Sequence, residues 1–484
     1  MNALKLLPKW SLGLLLFAFG FTSNANNLQI SGTAVSGSNI SFNIKWDNSW
    51  NANLAPANWD AVWVFVKYQD CATRQWYHAA IGTTGNTAAS PLQVDMVPDA
   101  KGVFLRRSAF GGGDIPDTAI TLRLNIPAGT YNYKVYGIEM VNIPQGNFEI
   151  GDGLSAATYN SITVTATSQS GGLTAPTLGG ASVNIPATFP MGYNSFYSMK
   201  YEVTQEQYVE FLNTLTYDQQ KERTGVEPNL ATGTAVFSAG TGYRNGIIIL
   251  TSGNNNTLPA EFACDATAAI PNNNDDGQNV AMNFMSWGDL SGYLDWSALR
   301  PMTEIEFEKI CRGPLPRVAG EYPWGSTEVN PISSNSTINP YKANESIALV
   351  ANGRTNFSSF AGVAQPTYGP IRAGIFATGS SGRASSGATY YGVMEMSGNV
   401  WERTVTTGNA AGASYTGVLG DGALAISGDA DAPSWPNAVT GLGSGGRGNG
   451  YYNNNANPSR TSDRTSASNL APARNYTIGG RGVR

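Results

Sequence analysis

Histidine and cysteine, which supply many metal ligands and nucleophiles in enzymes, are scarce in this sequence of 484 residues. The single histidine is His78, and the three cysteines are Cys71, Cys264 and Cys311. No Cys-x-x-Cys or Cys–His grouping occurs, so zinc binding and dithiol redox chemistry have no support. His78 lies in a predicted strand and is interpreted as structural, which leaves no base for a Ser–His–Asp triad. A Cys264–Cys311 disulfide is an alternative to free thiols, but three cysteines cannot all pair within one chain.

Charge is also scarce, because charged residues make up 13% of the chain and the formal net charge is −5. That share of charged residues is about half of the usual one. Since the chain has no basic excess, we expect no nucleic-acid partner. The 56 glycines and 25 prolines are typical of a mixed structure rich in loops rather than of a helical bundle.

A long apolar run occurs only at the N-terminus. Lys5 and Lys9 precede the apolar residues 10–21, and the small residues at 23–25 follow. This pattern predicts a secretory signal peptide over residues 1–25, too short to span a membrane in the mature protein. No later stretch is long and apolar enough for a membrane span. We therefore expect an exported protein that is extracellular, periplasmic or attached to the cell surface through protein contacts.

Residues 26–138 are predicted to form a β-sandwich. Apolar and polar residues alternate at 40–46, 62–66 and 120–126, with turn-rich stretches between them. Five tryptophans in this region raise the hypothesis of carbohydrate stacking: Trp46, Trp50, Trp59, Trp63 and Trp76. Trp46 and Trp63 fall within the strand patterns, where packing in the core is the alternative.

Three capping boxes predict the helices of the remaining chain, at Thr204/Gln207, Ser286/Asp289 and Thr303/Glu306. Three glutamates of the third helix are interpreted as helix-dipole partners on a partly solvated face: Glu304, Glu306 and Glu308. Residues 217–280 and 326–390 are rich in Asn, Ser and Gly and are predicted to be long ordered loops with short strands. Residues 152–186 are predicted to be an inserted loop or hairpin.

The stretch from Gly392 to Arg403 has features of a cation site. Glu395 and Glu402 flank the tight turn Ser397-Gly398-Asn399. Carboxylates combined with backbone carbonyls are the ligands that Ca²⁺ prefers. The alternative is a buried turn in which the glutamates only cap backbone amides.

Several motifs in one order resemble the formylglycine-generating enzyme (sulfatase-modifying factor) family, over roughly residues 138–484. The motifs lie at residues 189–192, 200–204, 300–308, 322–325, 392–403 and 446–481. The resemblance implies an α+β fold of the C-type-lectin-like kind, with few helices and long ordered loops. It places this domain at residues 139–484.

Enzymes of this family oxidise a substrate cysteine to formylglycine with oxygen, and two cysteines near their C-terminus hold Cu(I). Alignment on Arg460 and Arg464 puts those positions near Ala456 and Thr461, and no cysteine follows Cys311. The resemblance therefore implies a non-catalytic member without copper. A branch of the fold with a three-histidine iron site is excluded by the single histidine. The alternative is a formylglycine-generating-type oxidase or another enzyme acting on exported peptides or polysaccharides.

The resemblance also implies binding sites. The structural Ca²⁺ ligands carried over from the family are Glu395, Gly398, Val400 and Glu402. A second calcium site would begin at Asn344, without an acidic partner that the sequence identifies.

The C-terminal segment, residues 451–476, is rich in Asn, Tyr and Ser, as adaptable binding surfaces are. It also resembles the variable regions of diversified ligand-binding proteins of this fold. We expect its groove to bind an extracellular protein or glycan, or to serve self-assembly. The candidate ligand-binding residues are Tyr451, Tyr452, Asn453, Asn455, Arg460, Asp463, Arg464 and Tyr476. The alternative is that the arginines form buried bonds and the Asn and Ser residues fill loops.

Overall fold

The computed structural model describes residues 27–154, 158–177, 182–237, 242–254, 258–267, 270–332, 337–348, 351–357, 369–468 and 471–484. The predicted signal peptide lies outside the described residues. No helix in the described part of the chain has the length and apolar character needed to cross a membrane.

The N-terminal part is all-β, as predicted. Its strands are β1 (Gln29–Ser36), β2 (Asn39–Asn51), β3 (Asp60–Asp70), β4 (Trp76–His78), β5 (Ala80–Ile81), β6 (Thr87–Ala88), β7 (Leu92–Met96), β8 (Val103–Arg107), β9 (Gly111–Asn125) and β10 (Tyr131–Ile143). One sheet has the order β1-β2-β9-β5, with β6 also paired to β9. A second sheet contains β10, β3, β8 and β7 in that order, with β4 added to β3.

A buried core lies between these two sheets, because each strand alternates its side chains between two faces. Phe42 and Trp46 of β2 pack there with Val64 of β3 and Leu122 of β9. Trp63 faces the opposite way, towards the rest of the chain, and its Nε1 donates to the carbonyl of Ser297 at 2.9 Å. Trp46 and Trp63 are fully buried, so neither is open to carbohydrate stacking.

The remaining chain is a mixture of short strands, helices and long loops. Its strands are β11 (Phe148–Ile150), β12 (Ile162–Val164), β13 (Leu173–Pro176), β14 (Ser182–Ile185), β15 (Phe196–Met199), β16 (Ile247–Thr251), β17 (Glu261–Cys264), β18 (Arg300–Pro301), β19 (Asn330–Pro331), β20 (Thr337–Ile338), β21 (Ser346–Ile347), β22 (Arg354–Thr355), β23 (Trp401–Val405), β24 (Ser444–Arg447), β25 (Ile478–Gly479) and β26 (Gly482–Val483). Its helices are α1 (Ala166–Gly171), α2 (Gln205–Leu212), α3 (Tyr217–Arg223), α4 (Trp287–Trp296), α5 (Glu304–Arg312), α6 (Arg383–Ser386) and α7 (Ala410–Ala413). The α+β class with few helices is confirmed.

The second sheet continues from the N-terminal strands into this remaining part. Beyond β10 it adds β15, then β26 and then β18, so that the chain's last strand lies inside it. The predicted boundary at residue 138 falls within β10, and the division into domains stays a prediction. The N-terminal region and the rest of the chain thus share one sheet.

The three predicted capping boxes begin α2, α4 and α5, as expected. The prediction of loops for residues 217–280 is wrong at α3. That helix begins after Thr216, whose hydroxyl accepts from the amide of Gln219, and this fourth capping box is visible in the sequence. The predicted insertion at 152–186 contains the hairpin β13–β14 and the short helix α1.

Candidate ligand groove and cation site

Helix α5 anchors the C-terminal segment through buried ion pairs. Glu304 accepts two hydrogen bonds from Arg464, at 2.6 and 3.0 Å, and one from Arg447 at 3.3 Å. Burial alone would raise the pKa of Glu304, but the two guanidinium groups outweigh burial and lower this pKa to about 2. Glu304 therefore holds the end of β24, at Arg447, and the segment around Arg464 against α5.

The other two glutamates of α5 also bind arginine side chains in the interior. Arg300 binds Glu306 with two hydrogen bonds, at 2.6 and 2.9 Å. Glu308 accepts from Arg447 at 3.2 Å and from the hydroxyl of Ser462 at 3.0 Å. All three glutamates of α5 are at most 1% exposed. The interpretation of α5 as partly solvated is wrong, because each of these buried carboxylates is paired with an arginine, either the nearby Arg300 or the distant Arg447 and Arg464.

Some of the predicted ligand-binding residues lie in the interior of the C-terminal segment. Tyr451 is fully buried and Asp463 is 8% exposed. The side chain of Arg464 is 9% exposed, binds Glu304 and lies over the ring of Tyr159 at 3.9 Å. These three residues thus support the fold of the segment in the described structure.

Other predicted ligand-binding residues lie at the surface. Tyr452 is 49% exposed and Asn455 is also exposed, whereas Asn453 and Arg460 are partly exposed. The side chain of Asn453 accepts from the amide of Asn455 at 3.0 Å, which orders the turn between them. The surface part of the segment is therefore rich in amide and aromatic groups.

An aromatic cluster extends this surface beyond the C-terminal segment. Tyr476 stacks on Tyr243, with ring centroids 4.3 Å apart, and Tyr452 meets Tyr476 edge-on at 5.4 Å. Phe284 lies 6.4 Å from Tyr476. Tyr243 and Phe284 both have positive φ angles, of 57° and 59°, which are uncommon for aromatic residues and are frequent at binding sites. The sequence did not predict a role for these two residues, because they are distant from the C-terminal segment in the chain and carry no local motif.

The predicted cation site fits a metal ion in part. Glu395 is buried, and its Oε1 accepts from the amide of Gly374 at 2.9 Å. Its Oε2 has no hydrogen-bond partner among the described residues, and burial raises the pKa of this carboxyl to about 7. A cation would satisfy such an oxygen. Both carboxylate oxygens of Glu402, however, accept from Arg481 at 2.7 Å, so Glu402 acts as the counterion of that arginine.

The two predicted carbonyl ligands lie on the turn between these glutamates. Gly398 has a φ of 83°, and an added Cβ would come within 2.2 Å of the Thr355 hydroxyl, so only glycine fits. The amide of Val400 donates to Glu202 at 3.1 Å. This turn is held by hydrogen bonds to distant segments, such as the bond from the Gly398 amide to the carbonyl of Gly448 at 2.7 Å, and calcium binding stays a prediction.

A comparison with protein families finds one match over residues 132–484, well over half of the chain. The matching family is the sulfatase-modifying factor enzyme 1-like domain, also called the FGE-sulfatase domain. The chain belongs to this family. No curated protein matches the chain. The family resemblance inferred from the sequence motifs is thereby confirmed.

The cysteines of this FGE-sulfatase protein lie apart from its C-terminal segment in sequence, and all three are free. Cys264 lies on β17 and Cys311 on α5, where burial raises the pKa of both thiols well above the ordinary value. No cysteine follows Cys311, and the positions predicted for the family's cysteines, near Ala456 and Thr461, carry a methyl group and a buried hydroxyl. No soft sulfur ligand is therefore available at those two positions.

Proposed function

We propose that this chain is an exported, non-catalytic FGE-sulfatase protein that binds an extracellular protein or glycan, or assembles on a surface, through its C-terminal groove. The observation that carries the proposal is the chemistry of positions 456 and 461. A methyl and a hydroxyl cannot hold Cu(I), and the nearest cysteine in the sequence, Cys311, is buried as a neutral thiol.

The exposed part of the segment supports ligand binding. Tyr452 and Tyr476, with Tyr243 behind them, offer aromatic faces and edges next to the amide groups of Asn453 and Asn455. Such a combination suits both sugar rings and polar peptide segments, because rings supply rigid contact area and amides supply directional hydrogen bonds. The buried arginines behind the segment keep this surface rigid, which lowers the entropy lost on binding.

The absence of oxidase activity is tested with a Cys-x-Pro-x-Arg peptide, Cu(I) and oxygen. Mass spectrometry of the peptide is expected to show an unchanged thiol mass, and the protein is expected to take up no stoichiometric Cu(I). Conversion of the cysteine to formylglycine, coupled to oxygen consumption, would establish the alternative of an oxidase.

Ligand binding is tested with a glycan array and with pull-down from the native cell envelope. The Tyr452→Ala and Tyr476→Ala variants are expected to lose at least tenfold in affinity for the captured ligand, because each removes a ring from the cluster. The matched control is Tyr77→Ala, which removes a 42% exposed ring from the N-terminal region and is expected to bind normally. Equal loss of binding in all three variants would contradict a C-terminal ligand site.

A structural Ca²⁺ at Glu395 forms part of the same proposal. The unpartnered Oε2 of Glu395 supports it. Calorimetric titration of chelator-treated protein with CaCl₂ is expected to show one site that Glu395→Gln abolishes. The control is Asp421→Asn, since Asp421 belongs to a second acidic group with Asp295 and Asp431. Loss of calcium binding in Asp421→Asn alone would place the ion in that second group instead.

A further inference from the structure

The long strand β10 is paired over only part of one edge. Along residues 131–141 its inner edge pairs with β3. At the outer edge, β15 pairs with β10 only at residues 140–143. Among the described residues, no strand pairs with the outer edge from residue 131 to residue 138. Such an open edge presents backbone donors and acceptors that another extended chain can bind.

This open edge lies in a groove with a volume of about 660 Å³. Strand β1 borders the groove, and so does the first part of α2. Tyr136 lines the groove, is only 2% exposed, and has a hydroxyl without a hydrogen-bond partner among the described residues. Glu139 also lines it and is 5% exposed; its Oε1 pairs with Lys200 at 3.4 Å, whereas its Oε2 lacks a partner there. Because Tyr136 and Glu139 lie three residues apart on β10, they project to opposite faces of the sheet, and each leaves one buried polar atom beside the open edge that a ligand would satisfy.

The groove is acidic. Four glutamates and a single lysine line it, with no aspartate or arginine: Glu139, Glu202, Glu206, Glu210 and Lys134. Glu206 and Glu210 lie four residues apart on α2, where like charges repel each other. Lys134 lies 3.3 Å from Glu210, which leaves Glu206 without an ion pair in the described structure. A positive group bound between the two helix glutamates would relieve this repulsion.

The groove also contains aromatic rings. Tyr133, Tyr136 and Tyr201 line it together with the glutamates. Rings of this kind attract ammonium and guanidinium groups through their faces. Lys134 already shows this contact, because its Nζ lies 5.0 Å from the ring centroid of Tyr136.

We propose that this groove binds an extended, basic peptide segment of a partner protein. The segment adds a strand to the open edge of β10 and places a lysine or arginine side chain between Glu206 and Glu210. The open edge at residues 131–138 has room for a segment of about eight residues at about 3.4 Å per residue.

Charge argues against two other occupants. A second copy of this chain, paired edge to edge, would bring two acidic grooves together, which costs energy. A metal ion is not favoured either, because three acidic groups converge within 4.8 Å only at Asp295, Asp421 and Asp431 in the described part of the chain.

The test uses an acetylated and amidated heptapeptide, Thr-Lys-Val-Lys-Thr-Lys-Val, with fluorescence anisotropy as the measurement. The wild-type protein is expected to bind this peptide, and the E206Q/E210Q variant is expected to bind at least tenfold more weakly. The matched control is D218N/E222Q, which neutralises another acidic pair four residues apart, exposed on α3 and outside the groove. This control is expected to bind as the wild type does.

A second measurement separates strand addition from charge attraction. A peptide with the same charges, N-methylated at alternate backbone amides, is expected to lose binding, and the intact peptide is expected to slow hydrogen exchange at residues 131–138. Unchanged binding of the methylated peptide would overturn the proposal, since charge alone would then explain the affinity. No binding of the intact peptide, or equal weakening in the control variant, would overturn it as well.

Discussion

Buried carboxylates bound by arginines are the residue-scale feature that decides the shape of the C-terminal segment. Glu304 is fully buried and contacts both Arg447 and Arg464, which lie 143 and 160 residues further along the chain. A buried ion pair adds little net stability by comparison with an apolar pair, but the loss of one partner is costly because a charge stays buried. The network therefore selects one arrangement of the segment.

The first prediction concerns Glu304→Gln. This change leaves the buried guanidinium group of Arg464 without its counterion and takes one of two carboxylate partners from Arg447, so we expect the free energy of unfolding to fall by about 3–5 kcal/mol. Urea denaturation measures the fall. The control is Glu227→Gln, which breaks the exposed pair with Lys221 and is expected to leave the urea midpoint unchanged. Equal midpoints for the two variants would show that Glu304 has no structural role.

The second prediction is that the protein loses stability at low pH through protonation of Glu304. The pKa of Glu304 is about 2 in the folded protein, below its ordinary value of 4.5, so the unfolded chain binds the proton more readily. The resulting stabilisation, about 3 kcal/mol, is complete above pH 4.5 and is lost as the pH falls towards 2. Urea midpoints between pH 2 and 7 measure it. The Glu304→Gln variant is expected to show a smaller loss over this range, and an identical slope would contradict the assignment.

At the scale of elements, close backbone packing of β24 explains its glycines. A Cβ added to Gly445 would lie 1.6 Å from the carbonyl oxygen of Ala467, a distance at which the backbone must move. Strand β24 pairs with β23, which in turn pairs with β25 near the C-terminus. The small residue thus lets the C-terminal segment lie directly on this three-stranded sheet.

The third prediction is that Gly445→Ala destabilises the protein by about 1–3 kcal/mol or more, because the added methyl group overpacks the contact with Ala467. Thermal and urea denaturation measure the change. The control is Gly171→Ala at the end of α1, where an added Cβ meets no atom within 4 Å. This control is expected to be neutral or slightly stabilising, and equal effects at both positions would contradict the packing argument.

At the scale of the whole molecule, the N-terminal β region and the FGE-sulfatase domain are joined by a sheet and by buried polar contacts. Strand β15 continues the sheet that contains β10 and β3. Lys67 is buried and donates to the carbonyls of Trp296 at 2.7 Å and Gly422 at 2.6 Å. Arg484 lies over the ring of Trp63 at 3.9 Å. These contacts couple the stability of the two parts.

The fourth prediction is that the chain unfolds in a single transition, with the same urea midpoint by circular dichroism and by tryptophan fluorescence. Trp63→Phe removes the hydrogen bond to Ser297, so we expect both midpoints to fall together. The control is Trp76→Phe, a partly exposed position, which is expected to leave both midpoints unchanged. Two separate transitions would show that the parts fold independently.

Local patterns determined much of the fold at the level of sequence. The capping boxes at Thr204, Ser286 and Thr303 predict three helices because capping depends on residues only three positions apart. Alternation in β2 and β9 predicts the N-terminal sheets because strand side chains alternate over two residues. The order of the motifs in residues 138–484 determined the family.

Only the tertiary structure decided which charged groups are buried in pairs and which aromatic rings stack on one another. The burial of Glu304 and the pairing of Arg464 depend on contacts across 160 residues, which no local pattern encodes. The stacking of Tyr243 on Tyr476 and the open edge of β10 likewise appear only once distant segments pack together. Local geometry therefore specified the elements by themselves, whereas packing between distant segments decided which side chains remain available to a ligand.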